Sequence, residues 1–561
     1  MFRTTTLPGR ATVLALALAL AGAGMACWWP ANAQAQSERE SLEALRQTTL
    51  ALIDVLVQNG TLTRDKADSL LAEARKRAET ALAESARTDP PVVRVPYVPQ
   101  VVRDQIRNEI REEVLARAKV ERWGVPNASA EWTERISIEG DIRVRSQSDR
   151  AGSANPAPQD FLTASLGGTT RAPDFAAGSS TGLATGSTQD DRDRMRIRAR
   201  LGINARVSDS ISAGIRLATG NSTDRVSTNQ TLGQNFNRYQ FLIERAFVKL
   251  EPTDWASFSA GRFANPWFSS DLTWSDNLNF EGVAATLKRP PVANATWLPF
   301  ATVGYFPVRE SLGAKSGRNV MGAQVGVQWE PGTRTRLKLG LAQYRFDHFE
   351  GRVDPDYDAI SGPGASYGQY EYEASLRQRG NTLFLTNNPL EIAGGLTPDK
   401  ARWGLASRFR PAAITAAAEF SHFSPFVVGL SGEVVRNTAF DRQEIFARTG
   451  IQVDDARSYG ASVRATFGSA QVRDTGDWQV NLGYVWLGSD AVPDAFVGSD
   501  LASGGTNIRG VTAGLLYGVS RDTQLGLRVL SGRTISSPTV QAGLNNRYSV
   551  LTMQVDLNVR F

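Results

Sequence analysis

The sequence predicts an all-β transmembrane barrel of about sixteen antiparallel strands, preceded by a helical periplasmic segment. Three observations carry that prediction. From Trp132 onward the apolar residues recur with period two, the signature of strands with one apolar and one polar face. The connections between these segments alternate between short and long, as in an up-and-down membrane barrel. After the first 35 positions no apolar run approaches the ~18 residues a membrane helix needs, and a barrel needs none, because only every second residue faces lipid.

Composition narrows the chemistry. The 561 residues are 41% hydrophobic and 21% charged, which excludes a disordered chain. One Cys (Cys27) and two His (His348, His422) exclude a structural zinc site and a disulfide within the chain. The 62 basic and 57 acidic residues interleave to a net charge of only +5. That distribution fits one basic surface better than a nucleic-acid partner. No cofactor or metal is implied. Asp354, Asp356 and Asp358 read as a solvated loop rather than a calcium site. His348 and His422 fall near opposite strand ends, so no catalytic residues are assigned.

Residues 1–35 read as a cleaved signal peptide. Arg3 and Arg10 precede the uncharged run from Ala11 to Cys27, and small-residue exits follow at Ala31-Asn32-Ala33 and Ala33-Gln34-Ala35. A lipid-modified Cys27 is the rival, but Gly24-Met25-Ala26 lacks the usual Leu. Residues 36–88 predict a helical hairpin. Leu42, Leu45, Thr49, Leu52 and Leu56 form a short heptad stripe, Asn59-Gly60 stops the first helix, and Thr63 caps the second. Either a small packing unit or an oligomerisation stalk fits this stripe. Residues 89–131 hold the stiff, Pro-rich DPPVVRVPYVP and a third helix carrying Val102, Ile106, Ile110 and Val114.

The barrel is assigned to 132–561. Its strands are expected at 133–147, 192–207, 211–219, 238–250, 255–263, 277–288, 296–306, 319–330 and 333–346. The rest fall at 411–421, 426–436, 458–468, 476–487, 506–519, 522–533 and 547–561. The count is even, and 381–410 is assigned to a long loop because a further strand there would break the parity. In the last strand Leu551, Met553, Val555, Leu557, Val559 and Phe561 alternate with Thr552, Gln554, Asp556, Asn558 and Arg560. Trp255, Trp329, Trp478 and Tyr548 fall near strand ends, where an interfacial aromatic girdle belongs. A soluble β-sandwich is the structural rival, and it leaves that pattern and the leader unexplained.

Two features bear on function. Arg192, Arg194, Arg196, Arg198 and Arg200 occupy every second position. On a strand they share a face, and lipid would cost roughly 2–4 kcal/mol per Arg near the midplane, so they must face the lumen. Two readings stay open: a solvated wall whose charges pair with acids such as Glu139, Asp141 and Glu244, or a basic ladder that guides anions. The second feature is GRFANPWFSSDLTWSDNLNFEG at 261–282, where Asn265-Pro266 breaks the strand. Folded inward, this loop would set Asp271, Asp276 and Glu281 against the ladder as constriction acids. As an ordinary outer loop it would not.

Several stretches together resemble the bacterial putative-porin family: VLVQNGTLTRDKADSLLAEA, VPYVPQVVRDQIRNEI, EWTERISIEGDIRVR, RMRIRARLGINARV, LATGNSTDRVSTNQTLG and WSDNLNFEG. The resemblance implies a passive outer-membrane pore and a homo-oligomer, with a trimer among the options. It gives no residue-level substrate information. The expected partners are outer-membrane lipid and the insertion machinery, for which the terminal Phe561 resembles the recognition signal. The rival function is a binding or adhesion barrel with a closed lumen.

Overall fold

The structure is a computed structural model. It describes residues 135–155, 189–290, 296–311, 317–354, 402–536 and 548–561, short stretches between 357 and 393, and the helical residues Ala72 and Lys76. The expected signal peptide, most of the expected hairpin and the Pro-rich stretch lie outside the described residues. The chain divides into two units, 1–125 and 126–561, and the second is described below.

Sixteen long strands form its wall. They are β1 (Ile136–Ala151), β2 (Arg192–Arg206), β3 (Ile211–Thr219), β4 (Phe241–Thr253), β5 (Ala256–Ala264), β6 (Asn279–Lys288), β7 (Trp297–Arg309) and β8 (Arg318–Gly332). Then come β9 (Thr335–Asp347), β10 (Pro411–Phe423), β11 (Phe426–Asn437), β12 (Tyr459–Ser469), β13 (Trp478–Leu487), β14 (Ile508–Ser520), β15 (Thr523–Thr534) and β16 (Ser549–Arg560). Each pairs antiparallel with the next. β16 returns to β1, from Asp141↔Arg560 to Ala151↔Val550, and closes the barrel. Closure leaves no unpaired backbone edge, the condition for crossing lipid with strands. A two-residue strand, Gln230–Thr231, pairs with β2 at Arg196 and Ile197, beyond the last β2–β3 pair at Arg200↔Ala218. Trp403–Leu405 pairs with Leu383–Leu385 in a separate two-stranded sheet. The described residues of 381–410 therefore add no strand to the wall, which keeps its even count.

The alternation sorts the faces. In β16, Leu551, Met553, Val555, Leu557 and Val559 are 37–50% exposed, whereas Thr552, Gln554 and Asp556 are buried. The exposed set is the lipid face. The aromatic residues at the short-turn end follow it: Trp297 stacks on Trp329 at 5.0 Å, and Trp478 meets Phe426 and Phe467. Tyr548 departs from the expected girdle. It shares the inward parity of Val550 and Thr552 and is buried, beneath the guanidinium of Arg379 at 4.9 Å.

Lumen-facing side chains are buried because three loops fold inward. The segment after β5 leaves the wall at Asn265-Pro266 and runs along the inside of β7–β12. Trp267 packs on Phe306 and Tyr344, and the Phe268 N–H donates to Gln324 Oε1 at 2.8 Å. Glu433 of β11 accepts from Ser270 N and Thr273 Oγ1 at 2.9 and 2.8 Å. Loop 488–507, after β13, packs against it: Ser275 N donates to Phe496 O, and Gly498 N to Asp271 O. The long loop after β9 joins through Tyr372, Leu376, Leu383 and Trp403, which share one apolar cluster with Trp274, Phe346 and Phe496.

Candidate functional site: a basic lumen wall faced by an inward loop

The wall is built from four neighbouring strands. Register sets Asp141, Arg143, Arg145, Gln147 and Asp149 of β1 directly opposite Arg200, Arg198, Arg196, Arg194 and Arg192 of β2. On the other side of β1, Asp556 of β16 faces Arg145, and β15 brings Arg528 opposite Gln554. Two Arg–Arg pairs therefore meet head-on, Arg143 with Arg198 and Arg145 with Arg196. Like charges directly opposite across a sheet are destabilising, so compensating acids or water must reach them.

Acids compensate only part of the ladder. Asp141 accepts from Arg198 Nη2 at 2.7 Å and Arg200 Nε at 2.6 Å. Asp149 accepts from Arg194 at 2.8 Å. Arg145, 2% exposed, holds Asp556 in a two-pronged contact at 2.7 and 2.8 Å, the geometry that makes a buried pair tolerable. Next to this wall, Arg216 and Glu244 pair the same way at 2.6 and 2.8 Å. Arg196 and Arg143 stand apart. Among the described residues neither has a carboxylate within 4.0 Å. Arg196 reaches only Gln147 Oε1 at 3.3 Å, and Arg143 reaches the Asn229 side chain.

A cavity of about 780 Å³ opens on the long-loop side of this wall. Arg192, Arg194 and Arg196 line it from β2, Arg225 from the loop after β3, and Asp500 from loop 488–507. Arg225 donates to the Leu376 and Ser375 carbonyls at 2.8 and 3.0 Å. Asp500 Oδ2 accepts from Arg528 Nη1 at 2.8 Å and lies 3.7 Å from Arg145 Nη1. Crowding by the wall pushes the Asp500 carboxyl up, but Arg528 and Arg145 beside it hold it down to about 2. Among the described residues of loop 488–507 this is the acid that pairs with the arginine wall, and Asp224, from the loop after β3, lines the same cavity.

The acids expected at a constriction are dispersed. Asp271 lies within the inward loop, where its Oδ1 accepts from Asp276 N at 2.9 Å, and burial together with Asp276 pushes its carboxyl up to about 6. Asp276 is exposed beside it. Glu281 belongs to β6 and is 59% exposed, bridged to Arg262 of β5. Its neighbour Phe280 turns inward onto Trp274, so Glu281 shares the outward parity of Val283 and Leu287. The expected position of Glu281 at a lumen constriction is thus corrected by strand parity. Asp500, Arg143, Arg145 and Arg528 were not singled out from sequence. The alternation of 136–145 already marked the two β1 arginines as inward, whereas nothing periodic marks Asp500.

Among solved structures the chain is similar to Pseudomonas putida OprB, at 11% identity over 76% of this chain and 95% of that one, TM-score 0.41. An anion-selective porin from Comamonas acidovorans shares 12% identity over 76% and 99% of the two chains, TM-score 0.37. The outer-membrane channel DcaP of Acinetobacter baumannii shares 11% over 77% and 100%, TM-score 0.37. Likenesses this remote carry no argument about what passes through the lumen. No curated protein matches. A family model described as putative porin matches residues 46–561, and the chain therefore belongs to that family of outer-membrane channel proteins.

Proposed function

We propose that the barrel is a passive diffusion channel for small hydrophilic solutes with a weak to moderate preference for anions. The observation that carries this reading is Arg196: a lumen-facing guanidinium, bordering an open cavity, with no carboxylate within 4.0 Å among the described residues and with Asp224 and Asp500 lining the same cavity farther off. A half-buried charge without a direct ion pair draws water or a passing anion to itself. Arg194, Arg196, Arg198 and Arg200 lie ~6.6–6.8 Å apart along β2, inside the ~8 Å Debye length at physiological salt. Their potentials overlap into a continuous field.

The test is the reversal potential in a salt gradient across a planar bilayer. Arg196→Gln with Arg198→Gln should move it toward cations and leave assembly intact, and the wild-type preference should fall as salt rises. An unchanged potential would reduce the ladder to a paired structural wall. The apolar loop block favours one rival, a binding barrel with a closed lumen, and the absence of steady open steps in the wild type would support it. The reading also includes long loops outside the cell, the helical segment in the periplasm, and a homo-oligomer. Surface labelling of tags at 152–191 against tags at 60–100, and cross-linking of the detergent-extracted protein, test those parts.

A further inference from the structure

Loop 488–507 spans the lumen between two anchorages of opposite chemistry. At its start, Asn381 Nδ2 donates to the Val492 carbonyl at 2.9 Å, Thr382 Oγ1 to Asp490 at 2.6 Å, and the Tyr372 hydroxyl to Asp494 at 2.6 Å. Its middle enters the apolar block through Phe496, stacked 6.0 Å from Phe346. Its tip lies on the inner face of β14 and β15, where a Cβ added at Gly532 would meet that of Ala502 at 2.7 Å. Only glycine lets the loop come this close. The return is bent through left-handed residues, Ala502 at φ 48°, Ser503 at 65°, Gly504 at 90°, Gly505 at 85° and Asn507 at 56°. Such a backbone persists only where its surroundings hold it. At the tip that hold includes one carboxylate, Asp500, on Arg528 and Arg145.

We propose that Asp500 is a clasp: its ion pairs with Arg528 and Arg145 fix loop 488–507 across the lumen and mask part of the arginine wall from passing solutes. The proposal rests on the pore reading above. Asp500 and Asp556 together balance Arg145 and Arg528. Without Asp500, Arg528 keeps, among the described residues, the Gln554 side chain at 3.2 Å, and one positive charge is uncovered beside the cavity that Arg194 and Arg196 line. The same carboxylate thus governs both the width of the path and the charge along it, and Asp500 acts as a positioning and selectivity residue.

Two substitutions separate these roles, because they change the charge in opposite directions and the tether in the same one. Full-length wild type, Asp500→Asn, Asp500→Glu and Arg528→Gln are compared in planar bilayers under a potassium chloride gradient. Asp500→Asn should raise the anion-over-cation permeability ratio about threefold, the effect of one elementary charge some 7 Å from the ion path through water. Arg528→Gln should lower that ratio. Both should raise open-channel conductance and noise, and Asp500→Glu should stay close to wild type. Glu281→Gln, on the outer face, should do nothing. A wild type without conductance would overturn the pore reading itself. A conducting wild type whose Asp500→Asn and Arg528→Gln variants keep its conductance and noise would overturn the clasp alone, including the case in which only the reversal potential moves. Should Asp500→Asn fail to assemble, Arg528→Gln still decides: unchanged conductance and noise there overturn the clasp.

Discussion

The two sides of the lumen differ far more than the two sides of the outer surface. Along β5–β9 and β11 the inward residues include Phe263, Phe280, Phe306, Tyr344, Phe346 and Val435, on which the inward loops pack, with Gln324 and Glu433 among them as hydrogen-bond anchors. Along β15, β16 and β1–β3 they are Arg528, Gln554, Asp556, Arg145, Gln147, Arg198 and Arg216, and a cavity opens at their long-loop end. The same two-residue alternation builds both arcs and the same lipid covers both. What differs is the chemistry of the inward set. An apolar inward arc gains free energy by taking a loop, whereas a charged one is better served by acids and water. The path for solutes is therefore placed to one side.

The largest test of that contrast removes the keystone of the filled side. Trp274 is buried and meets Phe280 at 4.9 Å, Tyr344 at 5.1 Å and Phe346 at 5.8 Å. Trp274→Ala should cost the loop block about 3–5 kcal/mol. The strand hydrogen bonds that close the barrel are untouched, so the expected result is an assembled barrel with a clearly larger single-channel conductance. Conductance equal to wild type would mean that the block does not bound the path.

Next in size is a charge on the outer face. Leu557 of β16 and Leu341 of β9 stand on opposite arcs, and both are exposed. Asp at either should impair membrane insertion to a similar degree, by up to ~2 kcal/mol, because an acid on the lipid face costs less than Arg or Lys. Asn558→Asp, one residue along and facing inward, should insert nearly as wild type. Heat-modifiability of the extracted protein reads the folded fraction. Unequal losses at Leu557 and Leu341 would show that the lipid face is not common to the two arcs. Deleting Phe561 examines the expected insertion signal separately.

These faces were legible in the sequence because lipid imposes them residue by residue. The strand count, the inward set of the arginine ladder and the loop status of 381–410 follow from alternation, parity and the cost of Arg in lipid. Glu281 and Tyr548 lie at strand ends, where an acidic loop in the one case and an aromatic girdle in the other suggest a placement that parity overrules. Counting back by twos from Val283 sends Glu281 outward, and from Val550 sends Tyr548 inward. The clasp was not legible. Asp500 has no periodic context, and its partners on β15 and β1 are distant or unremarkable in sequence. Which loop reaches which wall depends on glycines such as Gly532 and on the shape of the apolar block, and neither follows from local pattern.

The third test is pH, and it is aimed at the filled side. Asp494 is buried, and burial pushes its carboxyl up to about 6 from the ordinary 3.8, although the Tyr372 hydroxyl and the charges of Arg377 and Arg225 pull it down. A raised carboxyl favours the folded loop while protonated. Its contribution is full below about 3.8 and is lost as pH rises through about 6. A shift of two pH units corresponds to at most ~3 kcal/mol, and less once the loop relaxes. Open-channel noise should therefore be higher at pH 8 than at pH 5. Asp494→Asn should flatten most of that dependence, and Asp271→Asn the remainder, since Asp271 titrates in the same window. Asp500, held down to about 2, stays charged throughout, so the clasp does not contribute to this change. A pH-independent noise level would show that the buried acids do not hold the loop block.

The smallest expected effect separates neighbours within the polar side. Arg196 and Arg198 carry the same charge two positions apart, yet they are placed differently. Arg196 lines the cavity. Arg198 leans the other way, toward the short-turn end, where its Nη2 and Nε both donate to Asp141 at 2.7 and 3.0 Å. Either substitution by Gln removes one positive charge, but Arg198→Gln removes it about one strand step, ~6.6–6.8 Å, farther along the wall and beside an acid that also binds Arg200. Through water with a Debye length of ~8 Å, the two charges should be felt unequally at the cavity. Arg196→Gln should lower the anion-over-cation permeability ratio by roughly twofold at physiological salt, the order expected of one charge about 8–10 Å from the ion path. Arg198→Gln should lower it less, and the difference should close near 1 M salt, where the Debye length falls to about 3 Å. Equal shifts at every salt concentration would place the narrowest part of the path lower on the wall, level with Arg143 and Asp141 rather than at the cavity.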